Sequence, residues 1–162
     1  MATATATARK IVVAVDGEDE SMHALSWCLK NVLADDPNDK LVLIHAKPSR
    51  VVYPSVDPTG YALSADLIST VDLYGMDTTA TVIERAKRAC KGLRNVKVEA
   101  RVANGDPKEV ICETVEKVGA DTLVMGTHGY GPLQRILLGS VSSYCAQHAK
   151  CPVLIVKKPT KA

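Results

Sequence analysis

KIVVAV, residues 10–15, is a short run of valine and isoleucine that ends at Asp16-Gly17. A continuous apolar run of this length, closed by turn residues, is typical of a strand that is buried on both faces. Such strands occur in parallel sheets, where helices cover both faces. We therefore predict that residues 10–15 form an inner strand of a parallel sheet.

Helix and strand patterns alternate along the rest of the chain. After the first strand, apolar residues spaced by three and four predict a helix, with Leu25, Cys28, Leu29 and Val32 on one face. Its expected N-cap is Asp19 or Ser21. Further strands are predicted at 41–45, 96–102, 122–125 and 152–156, and further helices at 78–93, 107–118 and 140–150. This order predicts an α/β fold with one doubly wound, five-stranded parallel sheet of order 3-2-1-4-5 and helices on both faces, as in Rossmann-like proteins.

The third strand and the helix after it carry the sharpest local signals. Residues 96–102 alternate between apolar and charged side chains, with Val96, Val98, Ala100 and Val102 on one face. One wet face predicts an edge strand. In the next helix, Asp106 is the expected N-cap, Pro107 suits the first helical position, and Gly119 is the expected stop.

Composition limits the function classes. The 162 residues carry 46% hydrophobic residues and a net charge of +2, with both signs spread along the chain. We predict one domain over residues 9–160 and a disordered tail over residues 1–8, where Ala and Thr alternate. The absence of a basic patch argues against nucleic-acid binding. No apolar run reaches the roughly 20 residues that a membrane helix needs.

The cysteines indicate a reducing compartment. There are five of them, an odd number without a C-x-x-C pair, which argues against a disulfide framework and against zinc ligation. We expect a cytoplasmic protein, with the nucleus left open. Inert core packing is the favoured role for these thiols.

A glycine-rich turn follows the fourth strand. Gly126 and Gly129 border the turn, and Gly139-Ser140 precedes the last helix. Glycine permits positive φ and close approach of a ligand, and the amides of a helix start bind anions such as phosphate. On spacing alone, two interpretations stand: an anion site, or plain turn glycines with Ser140 as a helix cap. Neither the G-x-G-x-x-G fingerprint nor the Walker A loop is present.

The segments around this turn resemble a known family. MGTHGYGPLQRILLGSVSSYCAQHAKCPVLIV (residues 125–156) and KIVVAVDGEDESMHALSW (residues 10–27) are similar to universal stress proteins, a family with an adenine nucleotide alpha hydrolase-like fold. The resemblance covers about residues 9–158. The spacing from Gly126 through Gly129 to Gly139-Ser140 is similar to the signature of the nucleotide-binding subclass. The proline-containing loop after the second strand resembles the plant branch.

This resemblance implies contacts with an adenine nucleotide, ATP or AMP. Residues at the ends of the first, second and fourth strands would meet adenine and ribose, with Asp16 accepting from the ribose hydroxyls: Ala14, Val15, Asp16, Ala46, Met125 and Gly126. The glycine turn and the last helix would hold the phosphates: Thr127, His128, Gly129, Gly139, Ser140, Val141 and Ser142. Any Mg²⁺ would be held by phosphates and water, without a protein metal site.

The resemblance also implies a role. It indicates a nucleotide-dependent binding or signalling module of the stress response, which acts on a protein partner that the sequence does not name. A slow ATP hydrolase and a redox-responsive holdase chaperone are the alternatives. The sequence offers no convincing catalytic set for fast turnover. A homodimer through the last strand, with Val153 and Ile155 among the contacts, is the implied assembly.

Overall fold

The computed structural model describes residues 7–48, 78–127 and 138–159. Its elements are, in chain order, β1 (Lys10–Ala14), α1 (Asp19–Asn31), β2 (Lys40–Lys47), α2 (78–89), β3 (Lys97–Asn104), α3 (Pro107–Val118), β4 (Thr122–Gly126), α4 (Ser140–His148) and β5 (Val153–Val156). Most of the predicted tail, the loop after β2 from residue 49 onward, and His128 and Gly129 lie outside the described residues.

The five strands form one parallel sheet in the order β3-β2-β1-β4-β5. Val12 of β1 pairs with Val42 of β2 on one side and with Leu123 of β4 on the other. These inner strands are buried along almost their whole length, which is why their sequences are continuous apolar runs rather than alternating ones. The predicted strand order and the parallel sheet are confirmed.

Helices cover both faces of this sheet. On one face, Leu25 of α1 and Val82 of α2 pack against Val13. On the other face, Ile111 of α3 and Cys145 of α4 pack in the cluster that contains Val12. Successive residues of β1 thus point to opposite cores, as the pleat of a strand requires. The doubly wound arrangement is therefore confirmed.

Strand β3 lies at the edge of the sheet, as predicted. Its wet face carries an ionic cluster in which Glu99 bonds Lys40 of β2 and Arg101, each at 2.6 Å. The hydrogen bonds from Lys40 and Arg101 lower the pKa of Glu99 to about 2. The prediction that Val102 shares the buried face was wrong, because its side chain is 47% exposed near the end of the strand.

Local end signals predicted α3 better than α1. Helix α3 has Asp106 as its N-cap, with the carboxylate accepting from the Lys108 amide, and Gly119 ends it at φ 67°. For α1, neither predicted cap is correct, since Glu18 occupies the N-cap position and makes no side-chain capping bond within the described chain. The helices predicted to end at residues 93 and 150 end earlier, at residue 89 and His148.

Candidate functional site

One cleft opens at the carboxyl ends of β1, β2 and β4, with a volume of about 330 Å³. The strand order reverses at β1, where α1 leaves for one face of the sheet while α4 follows β4 on the other. Open α/β sheets bind ligands at such a reversal. Strand ends and the first turns of three helices line the cleft: Ala14, Val15, Asp16, Glu18, Glu20, Ser21, Ile44, His45, Ala46, Pro48, Pro107, Ile111, Met125, Gly126, Thr127, Val141 and Ser142.

Asp16 is held in place by the start of α1. Its Oδ1 accepts a hydrogen bond from the Ser21 hydroxyl at 2.6 Å and another from the Glu18 amide at 2.9 Å. The Ser21 oxygen in turn accepts from the Asp16 amide at 3.1 Å. Ser21 was predicted as a possible helix cap, but its side chain instead orients the carboxylate that borders the cleft. This bonding gives Asp16 a defined direction before any ligand arrives.

Gly126 brings β4 into direct contact with the backbone of α1. A Cβ built on Gly126 would lie 2.6 Å from the carbonyl oxygen of Glu20 and 3.1 Å from the Ser21 amide nitrogen. The φ angle of Gly126 is not positive. The glycine is therefore explained by the approach of a helix rather than by an unusual backbone conformation, which sequence alone could not show.

The start of α4 forms the opposite wall of the cleft. Gly139 is its N-cap at φ −58°, and no side chain of the described residues caps it. The first amides of a helix lack partners within the helix, and the helix dipole makes this end attractive to anions. Val141 and Ser142 of this turn line the cleft, whereas Gly139 and Ser140 are not among its lining residues.

Ser142 was expected to help hold the phosphates, but its hydroxyl is engaged within the protein. The hydroxyl donates to the carbonyl oxygen of Gly126 at 2.9 Å, and the residue is only 1% exposed. This bond ties α4 to the end of β4.

His45 closes the floor of the cleft as a buried histidine. Its Nδ1 lies 2.8 Å from the carbonyl oxygen of Val15. Because a carbonyl oxygen only accepts, Nδ1 carries the proton. This hydrogen bond joins the end of β2 to the end of β1.

Comparison with known proteins identifies the family of this chain. The model of the family described as Universal stress protein family matches residues 7–157. The chain belongs to the universal stress protein family. A universal stress protein A-like protein of Arabidopsis thaliana is 31% identical over 150 residues, which is 84% of this chain and 77% of the relative.

Two solved universal stress proteins share the Rossmann-like fold. One, from Arabidopsis thaliana with AMP bound, has a TM-score of 0.66 at 24% identity and covers 94% of this chain and 93% of its own. The other, in complex with cAMP, has a TM-score of 0.60 at 27% identity and covers 91% of this chain and 96% of its own. The Arabidopsis sources are in keeping with the expected plant branch, which stays a prediction.

The structure of this universal stress protein gathers most of the predicted site residues around one cleft. Those that line it are Ala14, Val15, Asp16, Ala46, Met125, Gly126, Thr127, Val141 and Ser142. Their nucleotide contacts remain predictions. The cleft also includes Glu18, Glu20, Ser21, Pro107 and Ile111, which the sequence analysis did not select for it. The α3 residues Pro107 and Ile111 could have been found only from the strand order, which brings the start of α3 over the ends of the inner strands.

Burial sets the behaviour of the thiols in this universal stress protein. Desolvation raises the pKa of Cys28 and of Cys145 to about 12 and that of Cys90 to about 11. It also raises the pKa of the half-buried Cys112 and Cys151. All five thiols therefore carry little thiolate at neutral pH, which limits their individual reactivity.

The described part of the chain lacks two kinds of feature. No group of three or more His, Cys, Asp or Glu side chains there is arranged to hold a metal ion. No helix there is both long and apolar enough to span a membrane.

Proposed function

We propose that this universal stress protein binds an adenine nucleotide, ATP or AMP, in the cleft between β1 and β4, and that the bound nucleotide controls its choice of protein partner. The observation that carries the proposal is that nine of the predicted site residues, Asp16 and Gly126 among them, line one cleft of about 330 Å³. Small-molecule sites have volumes of about 300–1,000 Å³. The family member solved in complex with cAMP, at 27% identity, supports the same ligand class.

The charges around the cleft favour one orientation of the nucleotide. Asp16, Glu18 and Glu20 bring three acidic side chains to the α1 side. A phosphate would be repelled there, whereas ribose hydroxyls can donate to the oriented carboxylate of Asp16. The uncapped start of α4 on the opposite side attracts anions. The ribose therefore belongs beside α1 and the phosphates beside the first turn of α4, at the amide of Val141.

The base then belongs in the apolar floor between the ends of β1 and β2. Ala14, Val15 and Ala46 provide small side chains there, and backbone groups near Ala46 can meet the adenine edge. Mg²⁺ bound with ATP would be held by phosphate oxygens and water, because no three or more His, Cys, Asp or Glu side chains of the described residues are arranged to hold a metal ion.

A binding role fits the cleft better than rapid hydrolysis. An ATP hydrolase must position a water and a base beside the terminal phosphate. Within the described lining, the histidine is His45, and its Nδ1 donates to a backbone carbonyl rather than to a carboxylate. Asp16 is engaged with Ser21 and Glu18. We therefore propose a regulatory role for the nucleotide, in a reducing compartment such as the cytoplasm or nucleus.

The first prediction concerns affinity. Asp16→Asn should weaken AMP and ATP binding about tenfold, because it removes a charged acceptor from the ribose hydroxyls while keeping the shape of the side chain. Isothermal titration of the purified chain with each nucleotide measures this. The matched control is Asp19→Asn, which removes a carboxylate three residues further along the chain, at the first residue of α1, where the side chain is 68% exposed and outside the cleft lining.

Two outcomes would contradict the proposed site. One is equal affinity in Asp16→Asn and Asp19→Asn. The other is the absence of any adenine nucleotide signal, both in titration and in mass spectrometry of ligands extracted from the purified protein. Comparing AMP with ATP in the same titrations also identifies the preferred nucleotide.

We also propose that β5 pairs with its counterpart in a second copy. It is an edge strand whose residues Val153, Leu154 and Ile155 are only partly buried. An apolar edge of this kind needs a cover, and an isologous strand pair would supply one.

A charge placed on either edge strand of the sheet should have a different effect on the dimer. Ile155→Lys should convert a dimer into a monomer, because it places a charge within the proposed interface. Val102→Lys adds the same charge on the opposite edge, where the side chain is already 47% exposed, and should leave the dimer intact. Sedimentation at micromolar concentration distinguishes them. A monomeric parent chain would overturn this assembly.

A further inference from the structure

Two cysteines meet behind the helical wall of the cleft. The Sγ atom of Cys112 on α3 lies 3.8 Å from the Sγ atom of Cys145 on α4. Cys145 is fully buried, Cys112 is half-buried, and both belong to the apolar cluster on that face of the sheet. The Cys145 thiol is also 3.9 Å from the carbonyl oxygen of Lys108. Two thiols in contact, one of them reachable from solvent, form a dithiol rather than two separate core residues.

We propose that Cys112 and Cys145 are a modification site, at which oxidation forms a disulfide that links α3 to α4. A disulfide has an S–S distance of about 2.05 Å, so the two sulfurs must approach each other by about 1.7 Å. An approach of this size requires rotation of the two side chains and a small shift of the helices. The contact therefore already pairs Cys112 with Cys145 for disulfide formation.

The oxidant is a small-molecule disulfide such as oxidised glutathione. The Cys112 thiolate attacks one sulfur of the oxidant, which forms a mixed disulfide and releases one thiolate. The Cys145 thiolate then attacks Cys112 Sγ and expels the second thiolate. Two protein thiols lose two electrons, the oxidant is reduced to two thiols, and these take up the two protons from the cysteines.

Burial makes this reaction slow rather than forbidden. It raises the pKa of Cys112 and raises that of Cys145 to about 12, so few molecules carry a thiolate at neutral pH. The two thiols are thus mostly protonated at neutral pH, and the rate of linkage should rise with pH. Proximity drives the second step, because the attacking sulfur is already beside the mixed disulfide.

The link would act on the cleft, a consequence that rests on the proposed nucleotide binding. Ile111, next to Cys112, and Val141, one helical turn before Cys145, both line the cleft. Drawing α4 toward α3 would move the anion-binding turn of α4. We therefore expect the disulfide to weaken nucleotide affinity about fivefold or more, within the usual range of coupling between two sites.

Peptide mapping of the full chain tests the linkage directly. The reduced protein is incubated with oxidised glutathione at pH 8, and unreacted thiols are then blocked before digestion with trypsin. Cys112 lies on peptide 109–117, Cys145 on 136–150 and Cys151 on 151–157. The expected product is a cross-link between 109–117 and 136–150. Glutathione adducts without that cross-link, or a link from 109–117 to 151–157 in its place, would overturn the proposal.

Two variants separate the linkage from its consequence. Cys112→Ala should lose the cross-link, and Cys151→Ala, which changes another half-buried thiol of the same cluster, should keep it. Titration with AMP should then show weaker binding on oxidation of the parent chain and no change on oxidation of Cys112→Ala. A cross-link with unchanged AMP affinity refutes the coupling. A cross-link in a chain that binds AMP in neither state counts against the proposed function alone.

Discussion

Gly126→Ala should destabilise the protein by about 2–3 kcal/mol, at the upper end of the usual cost of overpacking. The added methyl carbon would lie 2.6 Å from the Glu20 carbonyl oxygen and 2.8 Å from the Glu20 carbonyl carbon. Both atoms belong to the backbone of α1, so no side-chain rotation can relieve the clash. Either α1 or the end of β4 must move, and each forms part of the cleft.

Two other glycines provide matched controls for this substitution. A Cβ on Gly92 would meet nothing within 4 Å, so Gly92→Ala should be neutral or stabilise the protein by up to about 1 kcal/mol. Gly119 is equally open but has φ +67°, so Gly119→Ala should cost about 1 kcal/mol through backbone strain alone. Urea unfolding followed by circular dichroism measures all three. A Gly126→Ala protein as stable as Gly92→Ala would show that α1 does not press on β4 as described.

The same glycine shows where prediction from sequence reached its limit. The end of β4 was predicted to within one residue, but the expected reason for glycine there was positive φ or close approach of a ligand. The backbone of α1 is what approaches, and α1 is about 100 residues away along the chain. No local pattern contains that contact. Asp106 and Gly119, by contrast, were predicted correctly because a cap depends only on residues within one helical turn.

The inner strands were predictable for a similar reason. Burial on both faces leaves a continuous apolar run in the sequence itself, and alternation with helices then restricts the strand order. Asp16 and Ala46 were selected from the resemblance to universal stress proteins, and they lie at the cleft because β1 and β2 end there. The role of Ser21 did not, because its hydroxyl could cap α1 or bond Asp16, and the sequence permits both.

Arg9→Met should destabilise the protein by about 3 kcal/mol, the lower end of the cost of breaking a buried ion pair. The Arg9 guanidinium makes two hydrogen bonds to the Asp39 carboxylate, of which the Nε bond is 2.9 Å long. The Asp39 side chain is only 2% exposed, whereas that of Arg9 is 46% exposed. Removing the guanidinium therefore leaves a carboxylate that water cannot adequately solvate.

This pair also fixes the start of the sheet. The Arg9 carbonyl accepts from the Lys40 amide at 2.8 Å, and the Asp39 carbonyl accepts from the Lys97 amide at 3.4 Å. The ion pair thus lies where β1, β2 and β3 begin, at the end of the sheet opposite the cleft. Its loss should lower stability while leaving nucleotide affinity unchanged, in contrast to substitutions at Gly126.

A double-mutant cycle separates the stability that comes from pairing Arg9 with Asp39 from the stability that each residue contributes alone. Arg9→Met, Asp39→Asn and the double variant are compared by urea unfolding, with the exposed pair Lys117–Glu113 as the reference cycle. Because a neutral amide no longer needs the guanidinium, the double variant should lose clearly less than the sum of the single losses. The reference pair should show coupling below about 1 kcal/mol. Additive losses at Arg9 and Asp39 would mean that the guanidinium does not compensate the buried charge.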